Sequence, residues 1–154
     1  MPASSRHVYD ARMAGAKARK DSQTSGLAGE LFVAAELLKR DIQTSVTFGN
    51  AKSIDLLAYN PETDQSFQVQ VKTLRSNNYF LTPSRDRIHP NHVRVFVLLN
   101  KPGVAVRYFI VRGAALVAEP ESFGPYLDHP TMPGVSPKDL LAFENNWQEF
   151  GCPA

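Results

Sequence analysis

The stretch from Phe67 to Thr73, FQVQVKT, decides the fold of this chain and raises a question about one of its faces. Successive side chains of a strand point to opposite faces. The apolar face would hold Phe67, Val69, Val71 and Thr73, and the polar face would hold Gln68, Gln70 and Lys72. An antiparallel strand with one side in water explains this pattern without any function. A binding site on the polar face explains it as well, so the rest of the chain must decide.

The segments around this strand predict a layered α/β or α+β domain. A helix is expected over residues 25–40, with Ser25 as its N-cap. Its core side chains are expected to be Leu27, Leu31, Ala34 and Leu38, which recur at helical spacing. Strands are expected over residues 46–49, 53–59, 66–74, 93–99 and 105–111. The second and third of these strands form a hairpin through the turn-rich NPETDQ.

The remaining segments complete the domain. Residues 75–92 are polar and basic, show no helical period and are expected to form a loop region. A short segment follows at 114–118, and a last helix is expected over 137–150. Its core side chains are expected to be Leu140, Phe143, Trp147 and Phe150.

Composition limits the class of protein. The chain has 154 residues, of which 43% are hydrophobic and 21% charged, which is typical of one soluble globular domain. Residues 1–20 hold five basic side chains against one acidic, whereas residues 113–154 hold one basic against six acidic. A polyanionic partner is therefore expected to contact the first part of the chain. With Cys152 as its single cysteine and no long apolar run, the chain is expected to be cytoplasmic and to have no membrane partner.

Glu30 occupies an unusual place on the first predicted helix. At about 100° per residue it falls between Ala34 and Leu37, inside the apolar arc. A carboxylate on a buried face is costly unless it pairs or binds a cation. A Glu at the edge of the arc can instead extend its carboxylate into water, and both interpretations stay open.

Asp55 is a second anomaly, because it stands within the apolar stretch SIDLLAY. A charge on an edge strand that blocks aggregation accounts for it without function. If the hairpin forms as predicted, Asp55 lies beside Gln70 and Lys72. Four polar anomalies, including Glu30, would then converge on one patch.

The order of these four residues resembles the PD-(D/E)xK nuclease superfamily. That family places a Glu on the first helix, an Asp at a strand and a Glu- or Gln-x-Lys motif on the next strand. The motif here is QVK at 70–72, a form similar to that of Mrr-type restriction endonucleases. The resemblance implies a restriction endonuclease-like α/β fold, with a central mixed sheet of about five strands flanked by helices. It also implies one nuclease domain over residues 25–154, after a basic N-terminal arm or helix over residues 1–24.

The same resemblance implies a metal-dependent endonuclease that hydrolyses DNA phosphodiester bonds. Asp55, Gln70 and Glu30 would hold Mg²⁺, with Mn²⁺ as a substitute, and Lys72 would position or activate the attacking water. Two features depart from the family. Gln70 replaces the commoner acidic ligand, and residues 75–92 lack the helix that usually follows the motif strand. An inactive nucleic-acid-binding or protein-interaction module on the same fold is the alternative function.

Contacts with DNA are expected from basic, amide and aromatic side chains in two segments. The candidates are Lys17, Arg19, Lys20, Arg75, Asn77, Tyr79, Arg85 and Arg87. A solvated loop with ordinary charges explains residues 75–92 equally well. A homodimer would supply the two sites that cutting both strands of a duplex requires.

Overall fold

The computed structural model describes residues 4–49 and 53–154, and for residues 4–21 the backbone alone. The helices are α1 (Ser4–Lys39) and α2 (Gly113–Ala118). The strands are β1 (Gln43–Val46), β2 (Leu56–Asn60), β3 (Gln65–Leu74), β4 (Phe80–Leu81), β5 (Val93–Leu98), β6 (Arg107–Arg112) and β7 (Gly134–Val135). Short 3₁₀ helices cover Arg85–Arg87, Pro120–Phe123, Pro137–Phe143 and Trp147–Phe150.

The described residues form a mixed sheet of five strands, as expected, and the strand order is β1-β2-β3-β5-β6. Neighbouring strands are antiparallel except β3 and β5, which are parallel. Parallel neighbours need a long crossover connection, which residues 75–92 supply here. Within those described residues the crossover contains β4 and one 3₁₀ turn but no α-helix, as expected from its polar, aperiodic sequence. β4 pairs with β7 in a separate two-stranded sheet.

Both faces of the sheet are covered by apolar layers, and β5 is buried along its whole length. On one face, Val33 and Leu37 of α1 pack with side chains of β3 and β5 such as Val69 and Val95. The final 3₁₀ helix adds Trp147 and Phe150 to this layer. The opposite face is covered by the crossover, α2 and the segment that follows them. The sheet is therefore flanked by helical segments, and alternation along β3 and β5 assigns each side chain to one layer.

Helix α1 begins far before residue 25, so the prediction that Ser25 caps it is wrong. Residues 4–24 contain no proline and many Ala, Arg and Lys, which favour helix continuation. Ser25 is instead buried inside the helix, and its Oγ accepts a hydrogen bond from Arg75 Nε at 2.7 Å. Although α1 has 36 residues, no helix in the described chain is both long and apolar enough to cross a bilayer.

The predicted core stripe of α1 is right at Ala34 and wrong at its three leucines. Leu27, Leu31 and Leu38 are 44%, 47% and 53% exposed. The buried stripe consists of Ser25, Gly29, Val33, Ala34 and Leu37. Small side chains at its first two positions let the helix approach β3 closely. A pattern that weighs only large apolar residues misses such a contact.

Two other element boundaries differ from prediction because of left-handed backbone. The first strand ends at Val46 rather than running over 46–49, since Phe48 has φ 51° and Gly49 has φ 78°. The predicted last helix is two 3₁₀ helices separated at Asn145, which has φ 54°. Of its predicted core residues, Leu140, Trp147 and Phe150 are buried and Phe143 is partly buried.

Candidate functional site

Asp55 lies where β2 leaves its regular pairing with β3. The register pairs Leu56 with Val69, and the Asp55 N–H then donates to the Val69 carbonyl at 2.9 Å. Two residues further along β3, the Val71 N–H donates to Asp55 Oδ2 at 2.7 Å. The carboxylate thus takes the place of a backbone acceptor. The two hydrogen bonds of Asp55, one from its N–H and one to its carboxylate, join residues on either side of Gln70. Asp55 and Gln70 are therefore brought together as predicted.

Gln70 projects from β3 on the face opposite the α1 layer. Its side-chain Oε1 is buried and accepts no hydrogen bond from the described residues. A buried amide oxygen without a donor is unfavourable and needs an explanation. An external donor, a water or a cation would satisfy it.

Glu30 lies on the same side of α1 as the buried Val33, Ala34 and Leu37, and is itself half-buried. Burial raises the pKa of the Glu30 carboxyl, and the negative charge of Asp55 raises that pKa further. The structure therefore couples Glu30 electrostatically to Asp55. A cation placed between the two carboxylates would remove their repulsion.

Lys72 is exposed and shares the polar face of β3 with Gln70. In the parallel register it lies beside Phe96 of β5. Among the described residues it forms neither an ion pair nor a side-chain hydrogen bond. Its ammonium group is therefore available to an external anion.

Arg94 is the residue that sequence analysis missed. It lies beside Gln70 in the parallel register and is only 2% exposed. Its Nε and Nη1 atoms find no acceptor in the described part of the chain. The signal in the sequence is a charge inside the apolar strand VRVFVL, the same kind of anomaly that singles out Asp55.

A concave surface adjoins this site on the open face of the β1–β3 sheet. It encloses about 900 Å³ and is lined by residues that include Leu57, Gln68, His89 and Asn91. The His89 ring stacks on that of the buried His92, with 4.1 Å between centroids. Of the residues that line this groove, Gln68 lies two positions before Gln70 on the same face of β3.

The predicted DNA contacts at the start of the crossover differ in surroundings. Arg75 is exposed, and its Nε bonds to Ser25 of α1. Asn77 is exposed, whereas the Tyr79 hydroxyl donates to the Met132 carbonyl at 2.9 Å. The Tyr79 ring also packs edge-on against Tyr126. A DNA-binding role for these side chains stays a prediction.

The other predicted DNA contacts belong to the 3₁₀ turn of the crossover and to the first half of α1. Arg85 forms an ion pair with Asp128 at 3.0 Å, and Arg87 is exposed on the same 3₁₀ turn. The side chains of Lys17, Arg19 and Lys20 fall outside the described residues. The structure therefore places Gln70 beside Asp55 and Arg94. Glu30 acts on Asp55 through its charge, from the helix that covers the other face of the sheet.

No cluster of three or more His, Cys, Asp or Glu side chains occurs in the part of the chain that the structure describes. A metal site at this position therefore depends on Gln70 as an oxygen donor beside the two carboxylates.

Comparison with known proteins gives no further guide to the site. No family model, no curated protein and no solved structure matches the chain. A functional assignment must therefore rest on the chemistry of the residues themselves.

Proposed function

We propose that this protein is a metal-dependent endonuclease that hydrolyses DNA phosphodiester bonds. The observation that carries the proposal is the arrangement around Gln70. Its amide oxygen is buried without a donor among the described residues, directly beside a carboxylate held by the Val71 N–H. This arrangement supports the interpretation of Glu30, Asp55 and the QVK motif as the active-site residues of a restriction endonuclease-like nuclease.

The donor set fits a hard divalent cation. Mg²⁺ prefers oxygen ligands and retains several waters, so a few protein oxygens suffice. Asp55, Gln70 and Glu30 would hold the ion, with Mn²⁺ as a substitute. The raised pKa of Glu30, caused by burial and by Asp55, indicates excess negative charge that a cation would neutralise. When bound, the ion supplies a lowered pKa for a coordinated water and positive charge at the phosphate.

The protein's own residues would orient the reaction. Lys72 would hold the attacking water and neutralise charge that develops on the phosphate oxygens. The water oxygen forms a bond to phosphorus, the bond to one ester oxygen breaks, and that oxygen leaves as a hydroxyl after accepting a proton. Asp55 keeps its orientation because Val71 holds one of its oxygens.

The test is a plasmid-nicking assay with Mg²⁺, Mn²⁺ or EDTA. Asp55→Asn is the informative variant, because its amide oxygen can still accept the Val71 N–H. Asp55→Ala would leave that N–H unpaired, which costs about 1–3 kcal/mol and confuses activity with stability. Glu62→Gln, at an exposed position in the β2–β3 turn, is the matched control for lost negative charge.

We expect wild type and Glu62→Gln to nick the plasmid with metal and Asp55→Asn to lose nicking by at least about 100-fold. Cutting retained by Asp55→Asn would refute the assignment. DNA binding by folded wild type without metal-dependent cutting would favour the alternative, a binding module. The replacement of an acidic ligand by Gln70 is what favours that alternative.

DNA would approach along the exposed basic side chains of the crossover. Arg75, Asn77 and Arg87 are exposed and would contact phosphates or sugars. Removal of Arg75 and Arg87 together should weaken DNA binding uniformly across sequences and reduce its salt dependence. Unchanged salt dependence would remove this surface from the proposal.

A homodimer with two sites would cut both strands of a duplex. The exposed Leu27, Leu31 and Leu38 form an apolar stripe along α1, and a second copy of that stripe would cover it. Sedimentation velocity of wild type and Leu31→Glu tests this arrangement. A monomeric wild type at micromolar concentration would rule it out.

We place the protein in the cytoplasm, in keeping with its single Cys152.

A further inference from the structure

We propose that Arg94 binds a phosphate of the nucleic-acid substrate, an inference that rests on the proposed nuclease function. Arg94 lies outside the Glu, Asp and Gln-x-Lys residues on which the proposed function was built. It would make the site a two-cation clamp, with Lys72 at the exposed end of the polar face and Arg94 at its buried end.

The burial of Arg94 is the first reason. A guanidinium remains charged at any ordinary pH, and charged side chains are almost never fully buried unless they are paired. Arg94 is 2% exposed, and its Nε and Nη1 have no acceptor within the described chain. Without hydrogen-bond acceptors for these two atoms, the burial of the guanidinium carries a cost that an external anion would offset.

The position of Arg94 is the second reason. In parallel pairing, residues in register project on the same face, so Arg94 and Gln70 point to the same side of the sheet. Lys72 follows on that face of β3. A phosphate attacked near Gln70 would consequently have Lys72 and Arg94 as neighbouring cationic residues on the same face of the sheet.

Electrostatic balance is the third reason. Burial lowers the pKa of the Arg94 guanidinium, and attraction to the negative charge of Asp55 offsets only part of that effect. If a cation occupies the carboxylate of Asp55, that attraction is cancelled. Arg94 then lacks a counter-charge, and a phosphodiester supplies one with oxygens suited to the guanidinium fork.

The bound state requires a rearrangement of the side chain. Because Nε and Nη1 are buried in the described state, we expect the guanidinium to change rotamer toward the groove when DNA binds. The adjoining groove contains the exposed His89 and Asn91, so it offers a route from solvent. A phosphate bound there would lie beside the hydrogen-bond donors of His89 and Asn91.

The experiment compares Arg94→Met, Arg94→Lys and Arg112→Met. Methionine keeps most of the volume and removes the charge. Arg112, which is ion-paired with Glu149, is the matched control for loss of one arginine elsewhere. DNA affinity is measured by fluorescence anisotropy with a short duplex in Ca²⁺ or EDTA, where cutting is not expected. Thermal melting of each variant is recorded in parallel.

We expect Arg94→Met to bind DNA roughly 10–100-fold more weakly, as for loss of a charge-assisted hydrogen bond. Its melting temperature should be unchanged or higher, because an unpaired buried charge is gone. Arg94→Lys should recover part of the affinity, and Arg112→Met should bind within about twofold of wild type by the same reasoning. A purely structural role would lower the melting temperature and leave affinity unchanged.

Wild-type affinity in Arg94→Met would overturn the inference. If that variant does not fold, the uncharged Arg94→Gln decides instead, and wild-type affinity in it has the same meaning. Inorganic phosphate is added as a competitor in the same binding assay. If it binds at Arg94 as tightly as duplex DNA does, the choice of a phosphodiester is overturned.

Failure of this inference is distinguishable from failure of the proposed function. If the wild-type protein cuts DNA and Arg94→Met binds DNA as tightly as wild type, only the role of Arg94 is removed. Absent cutting by wild type, with DNA binding that depends on Arg94, removes only the nuclease assignment.

Discussion

Gly29 offers a sharp test of how α1 is seated on the sheet, because it precedes Glu30 and contacts β3. A Cβ added at Gly29 would overlap Thr73 Oγ1 and lie 3.0 Å from both Thr73 Cβ and Cγ2. A Cβ added at Gly26 on the same helix would meet nothing within 4 Å among the described residues. Gly29→Ala and Gly26→Ala thus form a matched pair within one helix.

The expected magnitude follows from two opposing effects. Replacing a helical Gly by Ala stabilises the helix by about 1 kcal/mol at either position. Overpacking at Gly29 costs about 1–3 kcal/mol, since Thr73 or the helix must move. The free energies of unfolding of the two variants should therefore differ by about 1–3 kcal/mol, or roughly 2–12 °C in melting temperature. Gly26→Ala should melt above wild type.

The assay is chemical denaturation of wild type, Gly26→Ala, Gly29→Ala, Thr73→Ala and the double variant Gly29→Ala/Thr73→Ala. Removing Oγ1 and Cγ2 of Thr73 should recover part of the loss, with a coupling energy of about 1 kcal/mol. Equal stabilisation by Gly26→Ala and Gly29→Ala would refute the close contact between α1 and β3. In the proposed site, Gly29→Ala should also reduce cutting, because it shifts the neighbouring Glu30.

Three further predictions concern charge, catalysis and packing. The folded-state pKa of Glu30 is raised, so stability should fall as pH rises from about 4.5 through that raised value. In denaturant unfolding, Glu30→Gln should be more stable than wild type at pH 7 and as stable as wild type below about pH 4. Equal stability of the two proteins at pH 7 would contradict this. Lys72→Ala should lose turnover but keep Mn²⁺ affinity by calorimetry, and lost Mn²⁺ binding would assign Lys72 another role. Phe150 is fully buried, and its ring lies edge-on to that of Phe67 with 5.2 Å between centroids. Phe150→Ala should lower the free energy of unfolding by about 3–5 kcal/mol. A decrease below about 1 kcal/mol would contradict the place of Phe150 in the core.

The local parts of the fold were predictable because they depend on alternation and turn chemistry. The hairpin of β2 and β3 follows from two alternating segments joined by a turn-forming one, and β5 follows from its continuous apolar run. The polar, aperiodic 75–92 was rightly expected to lack a helix. Where the backbone turns through left-handed residues such as Phe48 and Asn145, the predicted boundaries were wrong. Phe rarely adopts that conformation, and Asn adopts it more often than most residues but in a minority of cases, so neither position was predicted.

The face of α1 could not be predicted from hydrophobic spacing. Three leucines, at 27, 31 and 38, drew the predicted core stripe to the wrong side of the helix. The sheet instead receives Ser25 and Gly29, because the closest approach between helix and strand selects small side chains. Glu30 nonetheless lies on the buried side, as its position on the helical wheel indicated.

What the sequence alone determined is the set of polar anomalies: Glu30 in an apolar arc, Asp55 in an apolar strand, and Gln70 beside Lys72. Their relation to one another was decided by tertiary structure. Strand pairing lets the Asp55 carboxylate accept the Val71 N–H, and a parallel crossover places Arg94 beside Gln70. Gln70 and Arg94, far apart in sequence, become neighbours only in the folded protein, because a long crossover, unlike a short hairpin turn, does not fix the register of the strands that it joins.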